Sequence, residues 1–245
     1  MTITRIALAT ALVVSAPAAH AATIVFDTTS ATNTTAATQA VTSDGVTATF
    51  TGGRYAGLVS AMNAAGSNVA ITAREVRRTT TGLGVAGDGE TDQVDSNGVN
   101  ELLQVVFSNP GRYRIVSATI GKVDNTDTFA LFGGQNGTYT RLGFTGAVWG
   151  GVTGGIPVTS TRIGTGNAAE RVYRLDFNYG GGFDSFRFGT NDEEADGFAL
   201  RSLSIAAVPE PTTWALLILG FGMIGAALRR KVAAGAKART ALTFA

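Results

Sequence analysis

Short runs of alternating apolar and polar residues make up most of this sequence, and the runs are separated by turns rich in glycine, asparagine and aspartate. Alternation with a period of two is typical of strands that bury one face, and the turn residues predict tight connections. Glycine, at 32 of 245 residues, is about twice as frequent as in an average protein. We therefore expect an all-β domain over residues 22–207, an antiparallel β-sandwich of jelly-roll type. The predicted strands are Thr23–Phe26, Gly45–Thr51, Val69–Arg77, Leu102–Phe107, Tyr113–Val123, Asp127–Phe132, Tyr139–Phe144, Arg171–Tyr179, Phe183–Phe188 and Phe198–Ile205.

Three segments of this domain depart from simple alternation. The phenylalanines of Phe183–Phe188 are unevenly spaced, which predicts either a β-bulge or a strand buried on both faces. Asp27–Ala48 is rich in threonine and alanine, and we expect a loosely ordered entry loop there. Gly146–Ala169 is rich in glycine, and we expect a long surface loop. Its Trp149 either stacks against a sugar ring or covers the core.

The absence of cysteine limits the chemistry of the chain. No disulfide, thiolate nucleophile or cysteine-bound zinc can form. The single histidine, His20, lies in a segment that we expect to be removed, so the mature protein would also lack imidazole catalysis and histidine-bound metals. Only carboxylate chemistry remains for an enzyme.

Residues 1–21 have the pattern of a secretory signal peptide. Arg5 precedes an uncharged run over residues 6–16, Pro17 interrupts that run, and Ala19-His20-Ala21 places small residues where signal peptidase cleaves. We therefore expect signal peptidase to cut after Ala21 and the following domain to be exported across the inner membrane.

An uncharged stretch over residues 211–228 lies between Glu210 and the basic cluster Arg229-Arg230-Lys231. As a helix it would span roughly 27 Å, close to the ~30 Å hydrocarbon core of a bilayer. Trp214 lies where an indole prefers the membrane interface, and the basic cluster predicts a cytoplasmic C-terminus. The sequence therefore predicts one transmembrane helix over about 212–228 and a basic cytoplasmic tail over 232–245.

Pro209-Glu210-Pro211 directly precedes this stretch, and Trp214-Ala215 follows at the spacing PEPxxWA. The two prolines fix φ and lack amide donors, so the segment cannot extend a helix or a central strand and stays accessible. With the apolar stretch and Arg229-Arg230, residues 208–231 closely resemble the tripartite PEP-CTERM sorting signal. The resemblance covers about a tenth of the chain, and 14 further residues follow Lys231, where the family usually ends sooner.

The resemblance implies processing by an exosortase, an integral membrane enzyme of Gram-negative bacteria that make extracellular polysaccharide. Pro209, Glu210 and Pro211 would then be the element that the enzyme recognises. The exported domain would start as a membrane-anchored precursor and be released or transferred to the cell surface or matrix. An ordinary linker ahead of a permanent anchor is the alternative.

The densest polar segment is Gly87–Gly98, and Glu101 follows it. Calcium binds six to eight oxygen atoms, and closely spaced carboxylates in a glycine-rich loop can supply them. The segment is not an EF-hand, because Gln93 stands where that loop needs glycine. We expect either a structural calcium site or a solvated acidic loop, and no other cofactor. The candidate ligands are Asp88, Glu90, Asp92, Asp95 and Asn97, and a weaker second acidic cluster comprises Asp192, Glu193, Glu194 and Asp196.

These features favour an exported, non-catalytic envelope or extracellular-matrix protein, either structural or associated with exopolysaccharide. The alternative is a polysaccharide-active hydrolase with a pair of carboxylates. Residues 22–208 contain 13 basic and 17 acidic residues, a balance that argues against nucleic acid as a partner. Candidate acids for the hydrolase are Glu75, Glu101, Asp176 and Asp184.

Overall fold

The computed structural model describes residues 22–56, 69–87, 92–96, 100–109, 111–124, 127–145, 152–155, 158–164, 171–190, 197–208, 217–226 and 228–230. Within these ranges the chain forms sixteen strands, and they pair antiparallel, as the sequence predicts. They are β1 (Thr23–Asp27), β2 (Thr34–Ala36), β3 (Thr38–Ser43), β4 (Val46–Tyr55), β5 (Ile71–Thr79), β6 (Gly82–Ala86), β7 (Val94–Asp95), β8 (Asn100–Phe107), β9 (Arg112–Val123), β10 (Phe129–Gln135), β11 (Thr138–Thr145), β12 (Val152–Gly155), β13 (Val158–Arg162), β14 (Arg171–Phe177), β15 (Ser185–Gly189) and β16 (Gly197–Val208).

The strands belong to one large sheet that folds over on itself. Its hydrogen-bonded order is β12-β11-β10-β15-β8-β4-β5-β6-β16-β9-β14-β13. Strand β5 joins the two halves, because its first residues pair with β4 and its last residues pair with β6. On the opposite side β11 contacts β13. The two halves thus pack face to face, and the sheet is nearly closed, like a barrel.

Phenylalanines from both halves of the sheet fill the space between them. Phe129 of β10 is 1% exposed. Its ring centroid lies 5.3 Å from that of Phe198 and 6.1 Å from those of Phe177 and Phe188. Tilted contacts at these distances combine apolar burial with favourable ring geometry. This main core stabilises a domain that has no disulfides.

Two hairpins close through turns that the sequence encodes directly. Asp44-Gly45 joins β3 to β4 with φ values of 47° and 75°, and Asn136-Gly137 joins β10 to β11 with 52° and 80°. Two consecutive positive φ values define the turn whose twist matches a two-residue hairpin, and Asp-Gly and Asn-Gly are its preferred residues.

The structure corrects two predicted loops and explains one irregular strand. Asp27–Ala48 contains β2 and β3 rather than only a loose loop, and 146–169 contains β12 and β13. Phe183 lies before β15 and forms an isolated bridge with Tyr113. Inside β15, Phe186 and Phe188 face the core with no exposed surface. The uneven phenylalanine spacing therefore reflects a strand that begins later than predicted.

Strand β16 runs the full length of the domain and defines its two ends. It begins at Gly197, which pairs with Asp95, and ends at Val208, which pairs with Arg112. We call the end at Gly197 the acid end, because Asp95, Glu101 and Asp127 are buried there, and the end at Val208 the tether end. Strand β1 pairs with the second half of β16, so Thr23 also lies near the tether end.

Phe129→Ala tests whether the aromatic core carries the stability. We expect a loss of about 3–5 kcal/mol in the free energy of unfolding, because the substitution removes a large buried ring and leaves a cavity. Urea unfolding followed by far-ultraviolet circular dichroism measures this loss of free energy. Val106→Ala on β8 is the control, since Val106 is 44% exposed; equal losses in the two variants would contradict this account of the core.

Candidate functional site

The topology brings Asp95 of the first acidic stretch to the start of the last strand. Strand β7 carries Asp95 and pairs with the first residues of β16, which directly follow the acidic cluster 192–196. Gly84 of β6 permits the close approach of the chain that leads into β7. A Cβ added at Gly84 would lie 2.2 Å from the carbonyl carbon of Asp92, a distance that no side chain tolerates. The missing side chain at Gly84 therefore allows the backbone of Asp92 and Gln93 to lie against the sheet.

Three carboxylates at the acid end point into the protein. Asp95, Glu101 and Asp127 are 5%, 4% and 4% exposed. Glu101 has the same strand parity as Leu103 and Val105, whose side chains lie in the core. Asp127 lies two residues before Phe129 and four before Leu131, both of which face the core. The side chain of Asp127 therefore points to the same side as theirs. Buried polar residues accompany them at this end: Ser96, Thr128 and Thr190.

Asp127 connects the β9–β10 turn to the start of β16. Its carboxylate accepts hydrogen bonds from the backbone amides of Asp124 and Gly197, the latter at 3.0 Å. The Asp127 amide in turn donates to the Asp124 carboxylate at 3.2 Å. Burial is the largest influence on this group and raises its pKa to about 6, although the two amide donors act in the opposite direction.

Glu101 is the most strongly perturbed carboxyl group that the structure describes at this end. Its Oε2 atom is buried without a hydrogen-bond partner. Arg54 lies directly opposite on β4. Desolvation and the nearby charge of Asp95 raise the pKa of Glu101 to about 8, against smaller opposing effects from a backbone hydrogen bond, Arg54 and Arg74. The neutral, protonated form of Glu101 is therefore favoured in the folded state.

A β-bulge directs a lysine toward the acidic segment. Lys122 has φ of 57°, and the β9–β14 register shifts beside it. Bulges commonly redirect a side chain next to a functional site. Here the Lys122 Nζ atom lies 2.5 Å from Oδ1 of Asp92. Asp92, one of the carboxylates predicted to bind calcium, is therefore already paired with a lysine.

The structure brings the predicted calcium ligands together only in part. Asp92 pairs with Lys122, and Asp95 is buried beside Glu101. Asp88, Glu90 and Asn97 lie outside the described residues, as does the cluster 192–196. Among the residues that are described, no group of three or more acidic side chains is arranged to hold a metal ion. The calcium site stays a prediction.

The candidate acids for a hydrolase lie in different parts of the fold. Glu101 is at the acid end, whereas Asp184 is at the tether end and accepts hydrogen bonds from the Asn136 amide and the Ser185 hydroxyl. Asp176 of β14 pairs with Arg174 at 2.8 Å on an exposed surface. Glu75 is exposed on β5. Glu101 and Asp184 therefore do not face each other across one cleft.

The C-terminal segment is described in part. Residues 217–226 and 228–230 are helical, so Arg229 and Arg230 belong to a helix. Its apolar side chains are exposed, for example Ile218 at 68% and Phe221 at 64%. Across the described ranges, no helix has both the length and the apolar character needed to cross a membrane. The signal peptide 1–21 and five predicted site residues lie outside the described residues: Trp149, Pro209, Glu210, Pro211 and Trp214.

Sequence reasoning missed the role of Asp127 and of the residues around it. The sequence does place Asp127 at the same alternating positions as the apolar Phe129 and Leu131, and such a pattern predicts a buried acid. Glu101 was predicted as an acid of interest but not as a buried one. Neither pattern reveals that Gly197, 70 residues further along the chain, supplies a donor to Asp127.

Comparison with protein families gives one match. The chain carries the PEP-CTERM protein-sorting motif at residues 207–231, as the sequence resemblance predicts. The matched segment begins inside β16 and continues through the exposed helix. Comparisons with curated proteins and with solved structures give no match.

Folding stability should fall as the pH rises from about 4 to about 8, because Glu101 and Asp127 bind protons more tightly in the folded than in the unfolded state. Their contribution is complete below the unfolded pKa values and is lost as the pH passes the folded ones. Glu101→Gln should reduce this slope and raise the melting midpoint at the alkaline limit. The exposed carboxylate variant Glu75→Gln serves as the control. A midpoint that rises between these pH limits in the wild type would refute the assignment.

A structural calcium ion predicts that a chelator lowers the melting midpoint. At a calcium concentration 100 times the dissociation constant, the ion would add about 2.7 kcal/mol to stability. Scanning calorimetry with calcium and with a calcium chelator measures the difference. An unchanged midpoint would exclude a structural ion, and Asp92→Asn should abolish any calcium effect if Asp92 is a ligand.

Proposed function

We propose that this chain is an exported, non-catalytic protein of the cell envelope or extracellular matrix, sorted by an exosortase and associated with exopolysaccharide. The observation that carries this proposal is the PEP-CTERM motif, which begins in the last strand of a β-domain. The motif implies that an exosortase processes the chain as an exported, membrane-associated precursor of a Gram-negative bacterium.

The surroundings of the motif support processing. Strand β16 ends at Val208, directly before the Pro-Glu-Pro motif, and its last two residues, Ala207 and Val208, are exposed and half-buried. Pro209 and Pro211 lack amide donors and therefore cannot continue the pairing with β9. The sequence of the motif therefore favours a segment that an enzyme in the membrane can reach.

The apolar helix supports a membrane-anchored precursor. Exposed apolar side chains cover the described part of this helix, and exposed apolar patches mark contact with a membrane or a partner. We propose that residues 212–228 form the transmembrane anchor and that Arg229 and Arg230 lie on the cytoplasmic side. The signal peptide over residues 1–21 would supply the matching export step.

In this arrangement the acid end points away from the membrane. The 12 residues of β16 extend roughly 40 Å at about 3.4 Å per residue. The acid end is thus separated from the anchor by the length of the domain. A ligand or neighbouring matrix component would meet the acid end and the outer faces of the sheet before it meets the tether end.

A non-catalytic role is favoured over hydrolysis by the placement of the acids. A carboxylate pair must face one scissile bond, whereas Glu101 is buried at the acid end and Asp184 lies at the tether end. Incubation of the purified protein with the organism's exopolysaccharide distinguishes the two functions. Shortening of the polymer that is lost in a single carboxylate variant would establish the hydrolase instead.

Mass spectrometry of the chain termini tests the sorting proposal. In cells with an exosortase, we expect surface-fraction protein that begins at Ala22 and has lost the C-terminal helix. Replacement of Pro209, Glu210 and Pro211 by alanine should leave the C-terminus intact, as should deletion of the exosortase. Alanine at Thr212 and Thr213, the unconstrained positions of the motif, is the matched control. An intact C-terminus in every strain would refute processing.

A further inference from the structure

A groove crosses the outer face of the half of the sheet that contains β16. It is open to solvent and has a volume of about 480 Å³. Its lining residues come from β1, β16, β9 and β14 and from the segment that follows β13. The volume lies within the range of small-ligand sites in proteins, roughly 300–1,000 Å³. The groove is therefore large enough to hold a small molecule or one unit of a polymer.

A β-bulge directs Arg201 into this groove. Consecutive residues of β9 pair with Leu200 and Ser202 of β16, so Arg201 is the extra residue of the bulge. Bulges redirect side chains and are common beside functional sites. The Arg201 side chain lies across Gly121 of β9, where a Cβ would be 2.8 Å from its Cδ atom. The missing side chain at Gly121 thus leaves room for the arginine stem against the β9 backbone.

The guanidinium of Arg201 is available to a ligand. Arg201 is half-buried and lines the open groove, so its side chain borders solvent there. Within the part of the chain that the structure describes, its guanidinium has no hydrogen bond and no ion pair. Thr119 and Ser202 line the same groove. This part of the groove therefore offers several hydrogen-bond donors to a ligand.

Asp27 supplies a hydrogen-bond acceptor on the β1 side of the groove. Its Oδ1 atom accepts hydrogen bonds from the amide and the hydroxyl of Thr29, at 2.9 and 2.7 Å. Arg78 donates to its backbone carbonyl at 3.0 Å. Asp27 is exposed, and its Oδ2 atom has no hydrogen bond to another described residue. A carboxylate held in this way loses little conformational entropy when it binds a ligand.

Aliphatic side chains line the two sides of the groove. Val25 of β1 and Ile163, which follows β13, are 50% and 56% exposed, and Val172 of β14 is half-buried. The Ile163 amide donates to the Val172 carbonyl at 2.9 Å. The Arg162 Nε atom donates to the Gly164 carbonyl at the same distance. The β13 side of the groove is thus fixed, and a ligand would meet apolar surface on both sides.

The combined chemistry of this lining favours a polyhydroxyl ligand over an ion. The carboxylate of Asp27 and the guanidinium of Arg201 cancel in formal charge, so the lining selects neither an anion nor a cation. A sugar hydroxyl can donate to the carboxylate and accept from the guanidinium. The C–H faces of a sugar ring can pack against the aliphatic side chains.

We propose that this groove binds an uncharged sugar unit of a polysaccharide. Arg201 and Asp27 hydrogen-bond its hydroxyls, and Val25 and Ile163 contact its ring faces. The choice of a polysaccharide as the source of the sugar rests on the proposed function, whereas the choice of an uncharged polyhydroxyl unit rests on the lining. Val208 follows Arg201 by seven residues of β16, a distance of roughly 24 Å at about 3.4 Å per residue. The groove is therefore set back from the anchor, where a matrix polymer can reach it.

Oligosaccharides from partial hydrolysis of the organism's exopolysaccharide test the groove. They are used as released and after reduction of their carboxyl groups to alcohols, which removes the charge. Calorimetric titration of the full chain measures binding, in a detergent without a sugar headgroup. The reduced oligosaccharides should bind at least as tightly as the released ones. Loss of binding on reduction would overturn the proposal, and so would an absence of binding by both forms.

Two variants change different parts of the groove. Arg201→Gln should weaken binding of the reduced oligosaccharides at least about tenfold, because it removes charged hydrogen-bond donors. Ile163→Ser should weaken it about threefold or more through lost apolar contact. Arg174→Gln is the matched control, since Arg174 lies opposite Thr119 on the neighbouring strand but is already paired with Asp176 at 2.8 Å. Wild-type binding by Arg201→Gln, or equal losses in both glutamine variants, would contradict the proposal.

Chemical protection decides the question if Arg201→Gln is unfolded by circular dichroism. Phenylglyoxal modifies accessible arginines, and peptide mass spectrometry reports the extent of modification at Arg201 and at Arg174 in the wild type. The reduced oligosaccharides should slow modification of Arg201 and leave that of Arg174 unchanged. Equal rates at Arg201 with and without the oligosaccharides would overturn the proposal.

Retention of the chain on the intact exopolysaccharide separates this proposal from the proposed function. Retention that weakens in Arg201→Gln and in Ile163→Ser supports both. Oligosaccharide binding in the groove without retention on the polymer would support the groove as a sugar site and contradict polysaccharide association. Retention that both variants leave unchanged would support polysaccharide association and place it outside this groove, against the proposal.

Discussion

Pairing of β16 on both of its edges is the interaction on which the rest of the structure depends. Strand β9 pairs with it from Ala199 to Val208, and β1, β6 and β7 divide the other edge among them. Because the strand is central, backbone groups on both sides are satisfied in a chain that has no disulfide to help it. Asp95 of β7, the aromatic core and the start of the sorting motif are all positioned relative to this strand.

The electrostatics of the acid end follow from the same packing. A strand pattern that places Glu101 and Asp127 in phase with core residues removes both from water, and the neutral form of a buried acid is then favoured. Arg187 of β15 shows the converse case, because burial lowers the pKa of its guanidinium.

Alternation in the sequence predicts the strongly amphipathic strands and fails for the others. Strand β9 is found where Tyr113–Val123 predicts it, because its apolar residues alternate over a long run. Strand β3 reads TQAVTS and has few apolar residues; an Asp-Gly turn and pairing with β4 form it. Strands β12 and β13 lie at the two ends of the sheet order. Each forms by pairing with one neighbouring strand, β11 and β14 respectively. The acid end could not be predicted, because it depends on a hydrogen bond between Asp127 and Gly197, which are 70 residues apart in the sequence.

The length and placement of β16 also have a mechanical consequence. Nine residue pairs connect β16 to β9 along an axis that ends at Val208. A pull on the chain beyond Val208, resisted at the opposite end of the domain, acts parallel to both strands. The hydrogen bonds between them are then strained together in shear, whereas a pull across the strands would break them one at a time. The fold can therefore transmit tension between its two ends without first unzipping its last strand.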